Sequence, residues 1–75
     1  MQVSLRLLSS LCIYGPKDAH NLTLPPGESA AGLAARLGIP ADELGLVFVN
    51  GAPADPNAAL SDGDAVLLLP PISGG

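Results

Sequence analysis

The sequence predicts an α+β fold, with one main helix packed on one face of a mixed sheet of four to five strands. Three observations point there. Short stretches near both ends and in the middle of the chain alternate their side chains with the period of a strand. One segment, beginning after Ser29, repeats its apolar residues at helical spacing. Turn signals built from Gly, Pro, Asn and Asp separate these pieces.

Residues 3–8 place Val3, Leu5 and Leu7 on one side and Ser4, Arg6 and Leu8 on the other, which reads as a half-buried strand. Tyr14-Gly15-Pro16-Lys17-Asp18 is turn chemistry, and residues 21–24 alternate again with Leu22 and Leu24 together, so a hairpin is expected. Pro25-Pro26-Gly27 ends that strand. Ser29 is a good N-cap, and Glu28 sits beside the positive end of the helix. Ala30, Leu33, Ala34 and Leu37 share one helical face, Gly38 suits the C′ position, and Pro40 stops continuation. The helix is short, and Gly32 costs it about 1 kcal/mol relative to Ala, so packing on the sheet must hold it. Residues 41–44 fit one further turn. Residues 46–49 form the clearest strand and Asn50-Gly51 the clearest tight turn. Residues 52–60 read as irregular, Ser61-Asp62-Gly63-Asp64 as a turn, and residues 65–69 as a last strand stopped by Pro70-Pro71.

The first and last strands are placed adjacent in the centre of the sheet, where the helix covers them. That arrangement is the β-grasp, although the pattern alone permits other α+β arrangements. The organisation read from it is a domain over residues 1–69 and an extended tail over residues 70–75.

At 75 residues the chain is one domain, near the lower limit for independent folding. It is 48% apolar with only Tyr14 and Phe48 aromatic, so the core must be aliphatic. The net charge is −4 and the basic residues Arg6, Lys17 and Arg36 are scattered, so no basic stripe tracks a phosphate backbone and no nucleic-acid partner is expected. Cys12 is the single cysteine, which excludes an internal disulfide and fits a reducing compartment. Arg6 interrupts the apolar start, so no signal peptide is read, and the apolar run over residues 65–72 is far short of the roughly 20 residues needed to span a bilayer. A cytoplasmic protein with no membrane partner is the expectation.

The tail, Pro70-Pro71-Ile72-Ser73-Gly74-Gly75, carries the functional signal. A terminal Gly-Gly arises by chance in about one chain in 200, so its context decides its value. The prolines fix φ, lack N–H donors and favour an extended path. Six extended residues reach at most about 20 Å, enough to enter a deep site in another protein. The glycines carry no Cβ, so a narrow channel can close around them. The competing reading is a frayed terminus.

Val47-Phe48-Val49-Asn50-Gly51, then Leu60-Ser61-Asp62-Gly63-Asp64-Ala65-Val66, then PPISGG, resembles the family of small ubiquitin-like sulfur carriers. That family includes the small subunit of molybdopterin synthase and the thiamine-pathway carrier. The Gly-Glu-Ser helix start and the Leu-Gly-Ile-Pro after it fit as well, so the resemblance spans the chain. The Pro-Pro resembles the molybdopterin branch, and also carriers tied to tungsten enzymes. The last strand departs from that branch, with Ala65 and Leu67-Leu68-Leu69 where its members often carry Glu and Phe. The resemblance implies that the chain is a carrier and not an enzyme. An adenylating enzyme of the ubiquitin-activating type, using ATP and magnesium, would activate the Gly75 carboxylate. A persulfide-bearing donor would convert it to a thiocarboxylate. Pro70, Pro71, Ile72, Ser73, Gly74 and Gly75 would insert into the large catalytic subunit of molybdopterin synthase. The chain itself would bind no cofactor or metal and supply no catalytic residue. Other readings remain open: sulfur transfer in thiamine or another pathway, a ubiquitin-like modifier joined through Gly75, or a β-grasp interaction module with an inert tail.

Strand parity adds a partner surface. If Val3, Leu5, Leu7, Val47, Val49, Val66 and Leu68 face the helix, then Leu8, Phe48, Leu67 and Leu69 lie on the open face as a binding patch. Cys12 reads as a small buried hydrophobe, because nothing basic lies near it to lower its pKa. His20 reads as a surface residue. Asp62 and Asp64 cannot alone supply the 6–8 oxygens that calcium takes.

Overall fold

Backbone pairing joins five strands into one mixed sheet in the order β2-β1-β5-β3-β4, in a computed structural model that describes residues 1–15 and 18–71. The strands are β1 (Gln2–Leu7), β2 (Asp18–Thr23), β3 (Leu46–Val49), β4 (Ala52–Pro53) and β5 (Ala65–Leu69), with one helix, α1 (Ala30–Arg36). The first and last main strands, β1 and β5, are parallel neighbours in the centre, while β2 and β3 flank them antiparallel. This is the β-grasp arrangement. Alternation along the strands decides the core: Val3, Leu5, Leu7, Val47, Val66 and Leu68 are buried with Ala30, Leu33 and Ala34 of α1. Among the described residues no polar or charged side chain is buried.

The helix ends are built as their residues require. Ser29 is extended and its Oγ accepts from Gly32 N at 3.0 Å. At the other end Gly38 takes φ 84°, Gly38 N donates to Ala35 O and Ile39 N to Ala34 O, the paired bonds of a Schellman cap. Gly32 has a use that its low propensity hides. A Cβ there would meet Glu28 Oε1 at 2.0 Å, so its bare Cα leaves room for that carboxylate to reach Arg36 Nε at 2.6 Å.

The Arg36 hydrogen bond, helped by the Ser29 N–H and partly opposed by desolvation, holds Glu28 below the ordinary value of 4.5. A lowered folded-state value means that this stabilisation is present above 4.5 and is lost as pH falls through the lower folded value. Glu28→Gln is therefore expected to melt below the parent near neutral pH, and the gap should close on acidification. Melting curves of both chains across the acid range check this.

Several features depart from the sequence expectation, among them β2, which starts at Asp18 within the expected turn and ends at Thr23 before Leu24. Strand β1 ends at Leu7, and Leu8 is extended beyond it with its N–H still donating to Leu68 O at 3.2 Å. Ser9–Tyr14 forms a 3₁₀ helix that buries Leu11. In β2, residues 20 and 21 oppose Ser4 alone, with Asn21 at φ 60°, a bulge that resets the register. The 52–60 stretch, expected to be irregular, contains β4, and its remainder is tied to the helix start by Ala31 N→Pro56 O and Leu60 N→Glu28 O. Strand β4 follows β3 through Asn50-Gly51, whose φ values of 54° and 83° fit a two-residue hairpin turn of type I′. Pro53 is tolerated because β4 is an edge strand.

Candidate functional site

The candidate site is the place where the chain leaves the sheet. Gly45 N donates to Leu69 O at 2.9 Å, just before β3 begins. Pro70 and Pro71 follow without N–H groups, so the ladder cannot run on along the tail. Pro70 is half-buried and Pro71 exposed. Residues Ile72, Ser73, Gly74 and Gly75 lie outside the described residues.

Gly45 is a residue that the sequence reading missed. A Cβ built on it would stand 2.3 Å from both Cα and N of Pro71 and 2.5 Å from the carbonyl carbon of Pro70. Its backbone is not in the left-handed region, so the requirement comes from close approach and not from φ. The turn that leads into Gly45 has its own partners. Leu44 N donates to Ala41 O at the end of the 3₁₀ turn Ala41–Glu43, and the Tyr14 hydroxyl donates to the Glu43 carboxylate. That hydrogen bond, together with desolvation and the nearby acidic charge, raises the Tyr14 pKa above 10.0 and keeps the donor protonated.

The open sheet face adjoins this exit. Phe48 pairs across with Leu67, and Leu46 with Leu69. Leu8, Phe48, Leu67 and Leu69 are each half-buried, while their inward neighbours Leu7, Val47, Val66 and Leu68 are buried. Leu46 belongs to the same face at 39% exposure, sharing the parity of Phe48, and extends the patch expected from the sequence. Arg6 lies opposite Leu67 in the register, so the face is apolar with a cation in it.

The two turns that carry the resemblance meet in space. Asn50 Nδ2 donates to Asp64 Oδ1 at 3.0 Å, and Ala65 N donates to Asn50 Oδ1 at 2.9 Å. Asp64 Oδ2 accepts from Ser61 N at 2.8 Å and Asp62 Oδ1 from Gln2 N at 2.6 Å. Both carboxylates thus serve backbone N–H groups. Among the described residues no group of three or more His, Cys, Asp or Glu could hold a metal. Cys12 is half-buried, which corrects the buried reading: it lies on the 3₁₀ helix and its thiol donates to Leu7 O at 3.1 Å. His20 falls in β2, and its side chain lies outside what the structure describes. No described helix is long and apolar enough to cross a membrane.

The ThiS family model matches residues 14–75. The chain belongs to the ThiS family. It is a small ubiquitin-like protein of the sulfur-carrier type, and solved structures share its fold from end to end. SAMP1 from Haloferax volcanii superposes with a TM-score of 0.71 at 22% identity, over 100% of both chains. The putative molybdopterin converting factor subunit 1 from Pyrococcus furiosus gives 0.74 at 18% identity, covering 96% of this chain and 99% of that one. A chain from the complex of subunits 1 and 2 of molybdopterin-converting factor from Helicobacter pylori 26695 gives 0.54 at 27% identity, over 100% of both. No curated protein matches the sequence. In this ThiS-family chain, the Asn50–Asp64 bridge ties together two otherwise ordinary turns. Each supplies the partner that the other needs.

Proposed function

We propose that this chain carries sulfur on the Gly75 carboxylate and delivers it in molybdopterin synthesis. The carrying observation is that the family match runs through Gly74-Gly75, on a tail whose root is steered off the sheet by Pro70 and Pro71. The carboxylate attacks the α-phosphorus of ATP on an adenylating enzyme of the ubiquitin-activating type, with magnesium balancing the phosphate charge, and pyrophosphate leaves. The terminal sulfur of a donor's persulfide then attacks the activated acyl carbon and AMP leaves. A thiol cleaves the resulting S–S bond and frees the thiocarboxylate. Its sulfur is softer and more nucleophilic than the oxygen it replaces. The chain contributes reach, thinness and docking, and the acids, bases and metal belong to its partners in the cytoplasm.

The molybdopterin assignment is supported by the Pro-Pro root and by the Helicobacter pylori relative, solved with a second subunit. On this reading residues 70–75 enter a large catalytic subunit, and Leu8, Phe48, Leu67 and Leu69 dock on it. A modifier role, with Gly75 joined to protein lysines, is the second reading, favoured by the similarity to a small archaeal modifier protein. The thiocarboxylate chain, mixed with the host's large subunit and a pyranopterin precursor, is expected to yield a dithiolene product. Lysine conjugates without dithiolene would favour the modifier.

A further inference from the structure

We infer that Gly45 is a positioning residue that sets the direction in which the tail leaves the domain. Three constraints meet at this point. The Gly45 N–H holds Leu69 O at 2.9 Å and so fixes the end of β5. The bare Cα of Gly45 forms a slot for the next two residues, since a Cβ would come within 2.3–2.5 Å of Pro70 and Pro71 atoms. The prolines hold φ near −65°, so the root cannot swivel freely inside the slot. The atoms in the slot are all backbone, unlike the Glu28 carboxylate beside Gly32, which can rotate away. A side chain at position 45 must therefore push the tail root aside.

The consequence rests on the carrier reading above. Real Cβ contacts under 3.0 Å essentially do not occur, so Gly45→Ala must shift residues 70–71. A misplacement of about 1 Å at a reacting group can cost about 100-fold in rate. The open face is untouched, so docking should persist. For Gly45→Ala we expect ATP–pyrophosphate exchange on the cognate adenylating enzyme to show kcat lowered about 10–100-fold, with the KM for the carrier within about twofold of the parent. A merely structural role would lower the fraction folded and leave the turnover of the folded chain unchanged.

The test pairs these kinetics with NMR on the parent chain. A strong cross-peak between the Gly45 and Pro71 α-protons is expected, and its absence overturns the slot whatever the kinetics show. Parental kcat in a folded Gly45→Ala chain overturns the positioning role. If Gly45→Ala does not fold, Gly45→Ala with Pro70→Gly and Pro71→Gly should fold, because the freed backbone can step around the new methyl. Failure of that variant too would place the clash elsewhere and refute the inference. A parent that shows the cross-peak but no exchange would instead remove the carrier reading and leave the slot standing.

Discussion

A chain extended by one alanine after Gly75 is expected to fold and dock as the parent does, and to remain unadenylated. The sheet, the open face, the Gly45 slot and both glycines are unchanged by the addition. The reactive carboxylate, however, becomes an amide, and the new one lies up to about 3.6 Å further out. Reacting atoms must stand about 3–3.5 Å apart, so the displacement is as large as the attack distance itself. The added Cβ must also enter a channel that accommodates glycine. ATP–pyrophosphate exchange should fall to background while binding to the adenylating enzyme persists. Normal exchange by a chain confirmed to retain its extra alanine would take Gly75 out of the mechanism.

Leu69→Asp and Leu68→Ala, one residue apart, should fail in opposite ways. Leu69 is half-buried on the open face opposite Leu46, where a charge can reach water but disrupts an apolar interface. A docking hot spot is worth about 2 kcal/mol or more, so partner affinity should drop at least about 30-fold with the melting temperature little changed. Leu68 is 0% exposed in the aliphatic core, on a central strand. Its truncation should cost about 2–5 kcal/mol, a large part of the roughly 4–11 kcal/mol that a chain of this length has. Calorimetry of folding and of binding on both variants separates the two faces. Unchanged affinity in folded Leu69→Asp would reverse the assignment of the docking side.

Much of the fold was legible because its signals are local. Strand parity identified Val3, Leu5, Leu7, Val66 and Leu68 as core, and Ser29 and Gly38 marked the helix ends. Features that depend on distant partners were not. The 3₁₀ helix over Ser9–Tyr14 has no clear period and is held by packing Leu11 into the core. Strand β4 is two residues long, too short for alternation to register. The bulge at Asn21 appears only once β2 is paired with β1. Leu46 was legible from the parity of Phe48, whose face it shares. Gly45 was not, because its need for a missing Cβ arises from Pro70 and Pro71, far along the chain. A lone glycine before a strand carries no mark of what will cross over it.

Whether Gly75 carries sulfur is read from the intact mass of the chain isolated from its own host while the pathway is active. A species ending at Gly75 is expected, heavier by the replacement of one oxygen by one sulfur and reverting on hydrolysis. A chain found only as the free carboxylate, or one that continues uncleaved past Gly75, would contradict it.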